Sequence, residues 1–212
     1  MKKLLQGKKS RIAILIALIV TALVEVLFRA IVMREATLGI ANAGEQVTVI
    51  VFAAIILLFM VKKNDKLSYI SCGALIAYFV MDQLFELPGM IGNLIANVSE
   101  PAIVISIAIR LLTMVGIVAI AALLAEYVND GSIYNRAFNI VFWITILLHV
   151  ASIAFSASGL FLPVNSPELA LLQKQNVLII FNEIYRIVMV LLFTSFAYDS
   201  ANRQLKRENL TK

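Results

Sequence analysis

Six stretches of the chain, at about 12–33, 47–61, 69–87, 102–125, 137–161 and 177–198, run through apolar residues with few interruptions. A helix needs about 20 apolar residues to cross about 30 Å of hydrocarbon, and five stretches reach or approach that length. The second, at 15 residues, either stands upright or starts earlier, near Ile40. Strands are excluded because open sheet edges find no hydrogen-bond partners in lipid. The runs also lack the alternation of an outer-membrane barrel. The pattern therefore predicts an all-α polytopic membrane protein: one domain over 1–212, a bundle of six transmembrane helices and a tail at 199–212.

Polar punctuation shapes the connections. Leu87-Pro88-Gly89 is expected to break the third span, with 90–98 forming a separate short interfacial helix. Ser99-Glu100-Pro101 reads as the start of the fourth span. Asn165-Ser166-Pro167-Glu168 starts a helix with proline in its first turn, running through Gln173 and Gln175 into the sixth span. The basic N-terminal flank resembles a signal peptide, but the apolar run outlasts a 7–15-residue core and has no Ala-x-Ala site. A retained first helix is expected.

Lysine and arginine set the orientation. Thirteen of the eighteen lie in the N-terminal flank (Lys2, Lys3, Lys8, Lys9, Arg11), in the second and fourth connections (Lys62, Lys63, Lys66, Arg136) and in the tail (Arg203, Lys206, Arg207, Lys212). The other three connections hold Arg34 and Lys174. This bias predicts both termini in the cytoplasm, in a cell membrane of the bacterial cytoplasmic kind.

The informative residues are charges where lipid-facing carbons are expected. Thr21, Glu25 and Arg29 share one face of the first span, and Tyr78, Asp82 and Glu86 share one face of the third. The fourth carries Ser106, Arg110 and Thr113; the fifth Thr145, His149, Ser152 and Ser156; the sixth Asn182, Glu183 and Arg186. The second span is read as having no ionisable residue and little polarity beyond Thr48. Given the alternating directions of the spans, all five sets fall between the bilayer centre and its outer face. A charge near the centre costs about 2.5–3.5 kcal/mol on insertion scales, so Glu25, Arg29, Asp82, Arg110, Glu183 and Arg186 must pair or be hydrated. An interior network of Glu25, Asp82, Arg110, Glu183 and Arg186, wet from outside, is expected. Arg29 either joins it or snorkels outward, and Glu86 either joins it or lies at the interface. His149 is a proton carrier or a hydrogen-bonded interior histidine.

Composition agrees: 61% of the 212 residues are hydrophobic and 15% charged, against about 45–50% and about 25% in soluble domains. With one cysteine, Cys72, and one histidine, neither a disulfide framework nor a metal centre of several thiolates or imidazoles is available. No metal or cofactor is expected. The net charge of +5 sits in short blocks beside apolar runs, which excludes nucleic acid as a partner. Trp143 and the tyrosines read as packing or interface residues.

Enzyme signatures fail in turn. Glu25 and Arg29 have the spacing of a glutamate-dependent intramembrane protease, but Val24 stands where a second glutamate is needed and a second histidine is lacking. No Gly-x-Ser-x-Gly, His-Glu-x-x-His or phosphate-binding glycine loop occurs. Ala13 and Ala17 have the Ala-x-x-x-Ala spacing by which the substrate-binding components of energy-coupling-factor transporters dock their partner, and the chain resembles those proteins in size and six-helix architecture. Ala121 and Ala125 share the spacing, so no family membership follows. The expectation is a non-enzymatic membrane protein that binds or transports a small polar or anionic solute, or protons. Glu25, Arg29, Asp82, Arg110, His149, Asn182, Glu183 and Arg186 are the candidate site. The lipid bilayer, a second copy or a membrane subunit are the candidate partners. The alternative is an accessory protein, a regulator, immunity factor or sensor, whose charge network is structural.

Overall fold

The computed structural model describes residues 5, 7–32, 43–96, 98–99, 101–130, 135–161 and 163–211. They form α1 (Lys8–Ile31), α2 (Gly44–Val61), α3 (Asp65–Ala96), α4 (Pro101–Asp130), α5 (Asn135–Ser158) and α6 (Pro167–Thr211), with a 3-10 turn at Gly159–Phe161 between the last two. All six helices are long and apolar enough to cross a membrane. The expected end of the first span at Met33, Arg34, and a second span starting near Ile40 lie outside the described residues.

Helices 1 to 5 pack in chain order, each against the next, and α6 closes the bundle by packing on α1, α3, α4 and α5. Half of the residues across the α6 span are buried, against 22–28% in the others, so α6 is the axis of the bundle. Its spacing explains this: Tyr185, Met189, Leu192, Phe193 and Phe196 recur every three or four residues and are all nearly fully buried. Phe79 of α3 meets Tyr185 and Phe193 edge-on, with centroids 6.2 and 6.0 Å apart. Phe138 of α5 meets Tyr198 at 6.0 Å, and Phe28 of α1 meets Phe181 at 5.5 Å. Such edge-to-face pairs contribute about 0.5–1.5 kcal/mol each beyond the area they bury. The outward faces carry large apolar side chains, among them Leu27, Phe85, Val115 and Leu147, each more than half exposed. Ala13 and Ala17 also lie exposed on α1.

The expected break at Leu87-Pro88-Gly89 is absent: α3 continues through Pro88 to Ala96 as one helix. Proline removes one N–H from the ladder, a loss that helices in an apolar bundle tolerate, and the segment 90–96 extends α3 instead of forming its own element. The second helix starts at Gly44 rather than 47, which brings Glu45 and Gln46 into the bundle. The starts of α4 at Pro101 and α6 at Pro167 are as the proline positions predict. The Ser166 hydroxyl caps α6 by accepting the Leu169 N–H at 3.3 Å. Beyond residue 198 the tail continues as helix to Thr211.

Gly116 fixes the approach of α4 to α5. A β-carbon there would overlap the Thr145 hydroxyl and sit 3.1 and 3.2 Å from its Cγ2 and Cβ. Thr145 is fully buried and donates its hydroxyl to the Val141 carbonyl at 2.8 Å, so this stiff β-branched side chain has nowhere to turn. Gly116→Ala is expected to cost about 1–3 kcal/mol, the usual range for overpacking, and Gly116→Ala/Thr145→Ala to recover most of it. Thermal denaturation of the detergent-purified variants measures both; equal loss in the single and double variants would show that this contact does not set the spacing.

Candidate functional site

The two ends of the bundle differ. At the end carrying both chain termini, Arg11 of α1 pairs with Asp199 of α6 at 2.7 Å, Tyr69 of α3 donates to the same carboxylate, and the Ser195 hydroxyl donates to the Leu5 carbonyl. Toward the other end, beyond the aromatic core, polar side chains from all six helices converge.

Arg186 occupies the centre of this polar half. Its position on α6, one residue after the buried Tyr185, turns it into the bundle, and it is the largest side chain with no exposed surface. The nearest carboxylate oxygen is Glu86 Oε2, 3.5 Å from Nη2, too far for a good hydrogen bond. None of its three nitrogens has a hydrogen-bond partner among the described residues. Arg186 attracts Glu25, Glu45, Asp82 and Glu183 electrostatically, so one guanidinium links acids from α1, α2, α3 and α6.

Three groups surround it. On α1, Arg29 bends back to donate to Glu25 Oε1 through Nε at 3.1 Å and Nη2 at 2.7 Å, while Gln46 of α2 donates to the same oxygen at 2.9 Å. Glu25 is fully buried. Arg29, 11% exposed, is held by an acid one helical turn away. On α5 and α6, the buried His149 Nδ1 contacts Glu183 Oε2 and Ser152 donates to Glu183 Oε1 at 3.1 Å. The other ring nitrogen, Nε2, is buried without a hydrogen-bond partner among the described residues. At the rim, Glu86 is shared between Arg110 of α4, at 3.4 Å, and Arg186. The Glu86 and Arg110 side chains are 37% and 40% exposed, so they form the exposed edge of the cluster. Glu86 is thus joined to the cluster through both arginines.

All eight residues singled out from the sequence lie in this half of the bundle, but they do not form one continuous hydrogen-bonded network. Among the described residues Arg110 pairs with the rim acid, Glu183 is held by His149 and Ser152, and Asp82 Oδ2 and Asn182 Oδ1 are buried without a hydrogen-bond partner of good geometry. The threonines of the polar stripes turn away from the site: Thr21, Thr113 and Thr145 bond carbonyls of their own helices. Missed altogether were Glu45, Gln46, Gln83 and Tyr185. Gln83 is buried beside Asp82, and among the described residues the Tyr185 hydroxyl and Glu45 Oε1 have no hydrogen-bond partner. Glu45 changes the charge balance. The expected three acids against three bases become five carboxylates (Glu25, Glu45, Asp82, Glu86, Glu183) against three guanidiniums and one imidazole. Among the described residues no three His, Cys, Asp or Glu side chains are arranged to hold a metal ion.

Fold and site together define a bundle of membrane-spanning dimensions around an acid-rich interior built on one arginine. No family model matches the chain, and neither a curated protein nor a solved structure does.

The two interior arginines should respond differently to neutralisation. Arg186→Met is expected to destabilise the protein by about 3–5 kcal/mol, the cost of removing one partner from buried charges. Arg110→Met, at the half-exposed rim, should cost about 0–1 kcal/mol. Thermal melts in detergent test the order; equal costs would mean that Arg186 does not compensate the buried acids.

Proposed function

We propose that this chain is an integral membrane protein with both ends in the cytoplasm, and that the interior around Arg186 binds a small polar or charged solute, or protons, for transport, alone or as the binding subunit of a larger carrier. The apolar outward faces support membrane insertion, since soluble monomers rarely expose contiguous apolar patches beyond a few hundred Å². Positive charge concentrated at the terminal end and in the connections beside it supports the orientation.

The observation that carries the binding reading is the fully buried Arg186 guanidinium, which has no hydrogen-bonded acceptor among the described residues, in the same half of the bundle as buried acceptors that also lack partners. An unsatisfied buried polar group costs about 1–3 kcal/mol, more when charged, and a purely structural arginine would close on a carboxylate. A solute with an anionic or carbonyl group would satisfy Arg186, and its donors, or protons, would meet Glu25 Oε2, Glu45 and Asp82. The rim is where a solute would enter: Glu86 holds both Arg110 and Arg186 at 3.4 and 3.5 Å, beyond good hydrogen-bond distance. His149 and Glu183 form a second, buried polar pair in the same half of the bundle. The competing reading, an accessory protein with a structural network, draws on the completed pairs Arg29–Glu25 and His149–Glu183.

A thermal-shift screen of the detergent-purified protein against anions, amino acids and vitamins across pH separates the two. A ligand at a hundred times its Kd adds about 2.7 kcal/mol of stability. The binding reading expects a hit that Arg110→Ala or Asp82→Asn abolishes while the variant stays folded. Variants that lose folding and nothing else, with no compound shifting the melt, would leave the structural reading standing.

A further inference from the structure

At the terminal end, 260 Å³ of open cleft lies between the start of α1, the α2–α3 turn and α6, lined by Lys8, Arg11, Lys63, Asp65, Tyr69 and Phe196 among others. We propose that this cleft is a binding site for a phosphate group, presented by an anionic lipid headgroup or by a free phosphate compound. It stands on geometry separate from the Arg186 interior.

Three observations point to an anion. First, Arg11 is buried: it is 6% exposed, its guanidinium lies 5.5 Å over the Phe196 ring, and its Nε has no acceptor among the described residues. Asp199 engages its Nη1 side and also accepts from Tyr69; with Asp65 on the lining, three cations stand against two carboxylates, an excess of positive charge at the cleft. Charge that only sets topology needs neither burial nor a cleft.

Second, α1 begins against its own dipole. Its first turn holds Lys8 and Lys9 and no acid, and Gly7 at its N-cap provides no side-chain hydrogen bond. The positive helix end and two ammonium groups therefore reinforce one another, an arrangement that an anion relieves.

Third, Lys63 holds a left-handed backbone, φ 58°, the described non-glycine residue with positive φ. It closes α2 in a Schellman turn, with Asn64 N–H on the Phe59 carbonyl at 2.9 Å and Lys63 N–H on the Met60 carbonyl at 3.3 Å. Glycine is the favoured residue at that position. A lysine there is strained, and its side chain lines the cleft.

The apolar wall of Phe196 and the Tyr69 ring would lie along the carbon part of the ligand, leaving Lys8 and Lys63 to the phosphate oxygens, with the buried Arg11 charge behind them. Lys63→Gly removes the ammonium and also the backbone strain, so loss of folding cannot imitate loss of binding. Native mass spectrometry and melting curves of the full-length protein in neutral detergent, with added short-chain phosphatidylglycerol, phosphatidylcholine or inorganic phosphate, test the site. The expected result is retention of phosphatidylglycerol over phosphatidylcholine, weakened at least tenfold by Lys63→Gly and by Lys8→Gln but not by Lys62→Gln, with the unliganded melting temperature of Lys63→Gly equal to or above that of the parent. Displacement of the lipid by millimolar inorganic phosphate would support a free phosphate compound as ligand; its failure would support the lipid. Binding of neither probe, or binding indifferent to Lys8 and Lys63, would overturn the proposal.

Discussion

A guanidinium with no exposed surface, on the central helix of an apolar bundle, is the constraint to which the rest of the interior answers. Arg186 cannot shed its proton as lysine or histidine can, so its charge has to be compensated where it stands. Compensation comes from several helices at once: Glu86 at 3.5 Å and, at longer range, Glu25, Glu45, Asp82 and Glu183. No one of them closes on it. The acids are themselves restrained, Glu25 by Arg29 and Gln46 and Glu183 by His149 and Ser152. Attraction is thereby distributed around Arg186 without being satisfied at it, the condition under which a polar interior can exchange internal contacts for those of a solute.

The two halves of the bundle divide the work of stability and chemistry. Toward the terminal end, aromatic pairs along α6 and the Arg11–Asp199–Tyr69 contacts fasten α1 and α3 to the axis. Helices that cross a membrane associate through packing and interhelical polar contacts rather than through hydrophobic burial. The close approach at Gly116 and the ring contacts of Phe79 and Phe138 are of that kind. A firmly packed half lets the polar half keep unmade hydrogen bonds.

Much of the fold was legible because the spans are set by continuous apolar length, which needs no tertiary information. What escaped notice was positional. The continuity of α3 through Pro88 depends on neighbours that tolerate a missing N–H, and the chain order of Leu87-Pro88-Gly89 does not reveal them. Glu45 and Gln46 precede the apolar run of α2, so a reading by hydropathy stopped two residues short; an acid in the first turn after Gly44 was the available signal. The charged residues of the site were visible because each violates its surroundings. Their grouping was not, because helical spacing fixes the face of one helix and says nothing of which carboxylate reaches which arginine. Gln83 and Tyr185 were hidden for the opposite reason: neutral side chains draw no notice in a span.

The central claim, that the interior around Arg186 is wet and opens away from the chain termini, is tested most directly by side-specific thiol labelling. Single cysteines replacing Glu86, Asp82 and Leu18, in a Cys72→Ala background, would be exposed to a membrane-impermeant thiosulfonate added to either side of sealed, oriented vesicles. Rapid modification at 86, slower modification at 82, both only from the face opposite the termini, and none at the core position 18 are expected. Silence at 82 and 86 from both sides, or reaction only from the terminal side, would contradict the account.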